Sequence, residues 1–323
     1  IGHLKADLSE PANFEAICSH CLGEHLTNPT LVHGGFFLGP TSFYNALREM
    51  PDDLREQICM TGVNQINQLY GGEALRRVQR KHARFINTVL KATLMGSVAS
   101  DGLESGQVLS GVGGQYNFVS QAHALEDGRS ILCVRATRGG GKELESNIVW
   151  HYGHTTIPRH LRDIVISEYG IADLRGKTDA DVIAAMIEIA DSRFQAELRD
   201  AAIKGGKLSP DYVIPDTTTN NTPAMLRARL KPYRDKGLFP TFPFGTDFTE
   251  EEIVLGRALR GLNSLSTPQQ LKIALGNIGS VLKPPITAEP YLERMGLTQC
   301  ENWQERKLAG MVILALANDG LFD

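Results

Sequence analysis

The amino-acid sequence predicts an α/β domain followed by a mostly helical extension, and three observations support this. Short apolar or β-branched runs alternate with helical segments between residues 85 and 205, the pattern of strands punctuated by helices. Glycine-rich turns separate those runs. Past Lys207 the composition shifts toward Pro, Thr, Asn and Asp before helices resume. A chain of 323 residues holds about two domains at roughly 150 residues each. The compositional shift sets them at 1–205 and 206–323.

Residues 1–84 mix short apolar segments with turns and one arginine-rich helix candidate, Gly72 to His82. The runs Phe85 to Val98, Ser130 to Ala136, Asn147 to Trp150 and Asp163 to Ser167 supply the strands. A helix follows over Asp181 to Ala190, with Val182, Ile183, Met186 and Ile187 on one face and Thr178 as its cap. A second helix, Ser192 to Lys204, stops at Gly205-Gly206. Ser209 to Thr222 is an extended connection. Thr249 with Glu252 matches a capping box, as does Thr267 with Pro268 and Gln270. The amphipathic segment Trp303 to Ala317 either packs inside the chain or offers a pairing surface.

Composition excludes several classes. The net charge of −4 is spread along the chain, which gives no electrostatic ground for nucleic acid or an anionic membrane as partner. The longest apolar stretch, Met311 to Ala317, is far short of the ~20 residues that cross a bilayer. The chain opens at Ile1 with neither Met nor signal peptide, which fits a trimmed piece. Five cysteines, an odd number widely spaced, fit reduced thiols in the cytoplasm better than a disulfide framework. Cys133 falls in an apolar run and is expected in the core. Cys18, His20, Cys21 and His25 lack a second ligand pair at zinc-finger spacing, so an ordinary helix-to-loop segment is favoured over metal binding.

The segment Leu109 to Val119 carries the clearest chemical signal. Gly111, Gly113 and Gly114 follow a run with strand character and precede a helix candidate, Tyr116 to Leu125. Glycines there let backbone N–H groups approach a ligand, and a helix N-terminus favours negative charge. No Lys-Ser/Thr follows and no third glycine stands at Tyr116, so neither nucleotide-binding fingerprint is met. An anion or oxyanion cradle and a structural tight turn both remain open. Glu168 follows the apolar run Ile164 to Ile166, at a strand's carboxyl end where ligands bind in open α/β sheets. Its alternative role is an ion pair with a nearby arginine such as Arg175. Arg138 to Lys142 is a solvated hairpin tip, and His151, His154 and His160 have no assigned role.

These segments, taken in order, resemble the acetyl-CoA hydrolase/transferase family. The resemblance rests on Phe85-Ile86-Asn87-Thr88, Gly111-Val112-Gly113-Gly114-Gln115 with Phe118-Val119, Gly128-Arg129-Ser130-Ile131, Ser146-Asn147-Ile148-Val149, Thr155 to Arg159, Ser167 to Lys177, and Ile189-Ala190 before Arg193-Phe194. It covers residues 30 to 205 and points to that family's C-terminal domain. It implies a CoA-transferase-like sheet flanked by helices, normally preceded by a related N-terminal domain, in a cytoplasmic homodimer. The implied substrates are an acyl-CoA such as acetyl-CoA and a small carboxylic acid, as in acetate metabolism. Coenzyme A is then a co-substrate, with no bound cofactor and no metal. Family transferases pass CoA through a glutamate that becomes an acyl anhydride and then a glutamyl-CoA thioester, and water as acceptor gives hydrolysis. The resemblance also assigns Gly111, Val112, Gly113, Gly114 and Gln115 to the oxyanion and CoA site. It makes Glu168 an active-site carboxylate and Asn67 the CoA-contacting asparagine, with Asn64 a poorer match.

One departure stands out. The segment that should hold the nucleophilic glutamate matches Val32 to Pro40, with Gly35 where the glutamate belongs. Glycine cannot attack a thioester. Two readings follow: hydrolysis by water with Glu168 as base, or a CoA-binding or regulatory domain without catalysis.

Overall fold

The computed structural model describes residues 7–25 and 28–322, and Ile1, on which the expectation of a trimmed chain rests, lies outside them. The described residues form two compact units, one comprising residues up to Leu38 with Ala46–Pro240, the other Gly39–Asn45 with Thr241 onward.

The first unit has the predicted α/β character. Its main sheet is built from β1 (Arg84–Val89), β2 (Arg129–Val134), β3 (Ile164–Ser167) and β4 (Gly170–Asp173), in spatial order β4-β3-β2-β1. The first three strands are parallel, with Thr88 and Ile166 both opposite Cys133, and β4 returns antiparallel. Alternation decides the faces. Leu132, Val134, Val165 and Ala172 point to one side and are buried with Val89. Helices α1 (Gln115–Ala124) and α2 (Asp179–Glu188) supply Val119, Val182, Ile183, Met186 and Ile187 to the same core. Ile86 and Ile171, on the other face, are exposed.

Local rules account for the element ends. The Thr178 side chain accepts from the Asp181 N–H and starts α2. Asp191 caps α3 (Ser192–Lys204), which ends at Gly205 as the glycine pair predicts. The expected strand over Phe85 to Val98 breaks at Leu90; Lys91–Thr93 then joins a small sheet with Val98–Ala99 and Ile148–Val149. Gly139 to Leu144 tips the hairpin between Thr137–Arg138 and Glu145–Ser146, as expected. The arginine-rich helix is shorter than predicted, Glu73–Gln79. Cys133 is half-buried rather than core, because it lies on the sheet's open side. The strand expected just before the glycine loop is absent among the described residues; only Val108 bridges, to Gly102. Glycines and a serine leave that run too little side chain to hold a ladder. Residues 206–222 run over this same unit, with Leu208, Tyr212 and Ile214 in its core and Asn221 donating to the Glu188 and Ala190 carbonyls.

The second unit is helical. Helices α4 (Glu250–Asn263), α5 (Glu289–Arg294) and α6 (Trp303–Asn318) enclose Leu255, Leu262, Leu292, Val312, Ile313 and Leu316. The Thr249–Glu252 capping box forms as predicted. The second box is shifted one residue: Ser266 caps and Gln269 reaches back, leaving Gln270 to donate to Leu262 and Leu265 carbonyls. A helix counted from Ser266 gains a cap with its own hydroxyl, so Thr267 becomes its first turn. Of the two roles open to Trp303 to Ala317, packing inside the chain is what is seen: Ala309, Gly310, Val312, Ile313, Ala315 and Leu316 are buried in its own unit. No helix among the described residues is long and apolar enough to cross a membrane.

Leu132 is fully buried on the central strand. Leu132→Ala is expected to destabilise the first unit by about 2–5 kcal/mol, seen as a lower urea midpoint; an unchanged midpoint would contradict this packing.

Candidate functional site

Gly113 and Gly114 lead into α1, and the geometry there has a clear cause. Gly113 has φ +62°, a left-handed conformation that glycine adopts without strain. Gly114 cannot carry a side chain for a different reason. A Cβ on it would stand 2.5 Å from Asn67 Nδ2 and 2.7 Å from Phe118 Cε2. The Asn67 amide and the Phe118 ring therefore press directly on the backbone.

Both neighbours are held in place. Phe118 stacks on Phe85 of β1 with ring centroids 5.6 Å apart. The Asn67 carbonyl accepts from Gln121 Nε2 at 2.7 Å, and Gln121 Oε1 in turn accepts from Arg80 Nη1 at 2.7 Å. Arg80 also donates to the Ile66 and Gln68 carbonyls, which fastens the Asn67 segment to α1. At the loop's start, Leu109 and Ser110 donate to the Asp101 carbonyl. The Thr156 hydroxyl, and then His154 at 3.0 Å, hold the Asp101 carboxyl below its ordinary range. His154 thus has a role that its isolated position in the sequence did not signal.

These residues border a cavity of about 720 Å³. Asn67, Gly113 and Gly114 line it together with Gly35 and Asn64. Its walls are otherwise Val63, Ile66, Phe36, Phe37 and Phe118, with Asn117, Gln68 and His33 as polar groups. Among the described residues no aspartate or glutamate is on that wall. A Cβ at Gly35 would meet Val63 Cγ1 at 3.0 Å, so the position is tight even for alanine. Asn117 was absent from the sequence-level reading; it lies three residues after Gly114 on α1, one turn into the helix behind the loop.

The other predicted residues lie elsewhere. Gly111 and Val112 are outside the cavity wall. Gln115 is buried and donates to the Thr88 carbonyl at the end of β1, at 3.3 Å. Glu168 follows β3, and its Oε2 accepts from the Ala136 N–H at 2.8 Å. The glycine loop and Glu168 therefore share the sheet's carboxyl edge, on either side of β2. The alternative ion pair does not form, because Arg175 binds Asp163 at 2.6 Å. Among the described residues no group of three or more potential ligands could hold a metal ion.

The residue after Glu168 is clamped. The Tyr169 hydroxyl donates to Asp191 Oδ2 at 2.9 Å, and Tyr169 N–H donates to Ser167 Oγ. Burial, then the Asp191 carboxylate, push the Tyr169 phenol well up. For Asp191 burial works toward a higher value, but the Arg193 guanidinium and N–H and the Tyr169 hydroxyl outweigh it. The carboxyl stays below its ordinary range.

Known proteins resemble this arrangement in sequence. A profile of the acetyl-CoA hydrolase/transferase C-terminal domain matches residues 39–202. The chain is 36% identical to a 4-hydroxybutyrate coenzyme A transferase of Clostridium kluyveri over 114 residues, 35% of this chain and 26% of that protein. It is 32% identical to a succinyl-CoA:cyclohexane-1-carboxylate CoA transferase of Geobacter metallireducens over 120 residues, 36% of this chain and 27% of that one. RipA from Yersinia pestis, a solved structure, aligns at 26% identity with a TM-score of 0.43, covering 54% of this chain and 35% of that one. The chain spans about a quarter of the length of the curated relatives it matches.

Gly114→Ala is expected to push the Asn67 amide off the loop while the fold persists, seen as a shifted Asn67 side-chain amide resonance beside unchanged circular dichroism; an unmoved resonance would contradict the contact. Asp191 gives a pH prediction. Its depressed carboxyl stabilises the fold in full above its ordinary value of 3.8, and that contribution fades as pH falls through the lower folded value. Urea midpoints followed from neutral pH into acid are expected to drop less steeply for Asp191→Asn than for the parent chain.

Proposed function

The chain belongs to the acetyl-CoA hydrolase/transferase family through its C-terminal domain, and on that premise we propose that its cavity receives the thioester end of an acyl-CoA. One observation carries the reading: the Asn67 amide lies against Gly114, beside left-handed Gly113, at the mouth of a helix in an apolar cavity. Amide donors fixed in advance stabilise the charge that develops on a thioester oxygen under attack, at no cost in reorganisation. The apolar wall strengthens them by excluding water.

The route has no enzyme-bound intermediate. By the family resemblance Gly35 stands where the nucleophile belongs, and among the described residues no carboxylate lines the cavity to replace it. Water then adds to the thioester carbonyl while Glu168, held through one oxygen on the Ala136 N–H, takes its proton; the C–S bond breaks and the proton passes to the leaving CoA thiolate. In the whole protein, as a homodimer with an N-terminal domain, the reading extends to cytoplasmic acetate-type metabolism, where CoA transfer to a small carboxylic acid would need a carboxylate that this cavity wall does not supply among the described residues. The names of the matched relatives support the transfer. A second reading, CoA binding without turnover, is favoured by the same carboxylate-free wall.

Glu168→Gln is expected to lower acyl-CoA hydrolysis by about 10²-fold or more with KM little changed. Equal rates for Glu168→Gln and the parent would end the assignment of the base, and no turnover by the parent would favour the second reading. Mass spectrometry after mixing with acetyl-CoA is expected to show no CoA adduct; a glutamyl adduct would overturn the water route.

A further inference from the structure

A second cavity, of about 480 Å³, opens at the opposite, amino edge of the parallel strands. Its position follows from its walls. Arg175 comes just after β4 and holds Asp163, which immediately precedes β3; Arg159, His160 and Arg162 come from the turn before β3, and His123 from the end of α1. Two of the segments quoted for the family resemblance, Thr155 to Arg159 and Ser167 to Lys177, send residues here that the thioester site does not use.

The charge balance is one-sided. Among the described residues no carboxylate lines this cavity. The acids that reach its arginines stand behind them and are shared: Asp163 between Arg129 and Arg175, and Asp179 among Arg159, Arg162 and Lys207. With Asp173 on Arg129, five cations share three carboxylates. Arg162 is committed to the Met95 and Lys177 carbonyls, and Arg175 to the Gly128 carbonyl. Arg159 is different: its half-exposed guanidinium places one N–H on Asp179, at 3.2 Å. The His160 ring has no hydrogen-bond partner among the described residues. Donors are thus left over where acceptors are missing, and an arginine fork beside an imidazole matches the oxygens of a doubly charged oxyanion.

We propose that this cavity binds a phosphate-type dianion, with Arg159 and His160 as its adjustable donors and Arg162 and Arg175 as its fixed charge. Free phosphate and the phosphate of a small monoester present the same chemistry to these groups. The site is separate from the thioester cavity and stands whether or not that reading holds.

Titration of the whole chain with inorganic phosphate, in low-chloride buffer with heat as the readout, tests it. A parallel titration with phenyl phosphate identifies the source, the tighter of the two being the better mimic. Saturable binding is expected, weakened about tenfold or more in Arg159→Gln and again in His160→Ala, each removing a charge-assisted or imidazole donor. Thermal melts check that both variants fold, and Arg159→Lys, which keeps the charge but loses the fork, is expected to fall between parent and Arg159→Gln. Absence of binding by the folded parent, or equal binding by parent and Arg159→Gln, would overturn the site and leave these cations as partners of Asp163 and Asp179 alone.

Discussion

The contact between the Asn67 amide and the bare backbone of Gly114 is the constraint on which the candidate site depends. No other residue type leaves the room, since a Cβ would overlap both the amide and the Phe118 ring. The contact in turn fixes its surroundings. Gln121 must reach the Asn67 carbonyl, Arg80 must reach Gln121, and α1 must begin at Gln115. One absent methyl group therefore ties a loop, a helix start and an arginine network into a single arrangement. Close packing makes such a site intolerant of small displacements.

Charge is handled differently at the two edges of the sheet. On the carboxyl side, anionic groups are few and individually anchored. Glu168 rests on a backbone N–H, and Asp191 is fully buried with Arg193 and Tyr169. A buried carboxylate is tolerable there because every oxygen is hydrogen-bonded, which outweighs the desolvation cost. On the amino side, Asp163 is equally buried, yet arginines outnumber the acids around it. The parallel strands thus separate a lightly charged, apolar cavity from a strongly cationic one.

Much of the first unit was legible in the sequence, because helix caps and strand alternation act within a few residues. Thr178, Asp191 and Gly205 mark helix ends through local hydrogen bonds and glycine's freedom. What was not legible depends on distant partners. Leu90 ends a run whose composition would continue a strand, because Lys91–Thr93 finds a second partner in Ile148–Val149. Ser266 replaces Thr267 as a cap because Gln269 and not Gln270 can turn back to it. Within the site, the family resemblance named Asn67 and Gly114 separately, and neither it nor spacing gave a hint of their contact. Gln115 illustrates the reverse: the resemblance put it in the site, but its side chain is drawn inward to the Thr88 carbonyl.

The anchoring of Glu168 bears on what chemistry the carboxyl edge supports. Its bonded oxygen stands at the Ala136 N–H, just past the end of β2, while Gln115 ties the glycine loop to the end of β1. The two anchors belong to neighbouring strands, and Glu168 itself is absent from the cavity wall among the described residues. A carboxylate set back in this way suits action through a bridging water better than direct attack, because a water hydrogen-bonds to both partners.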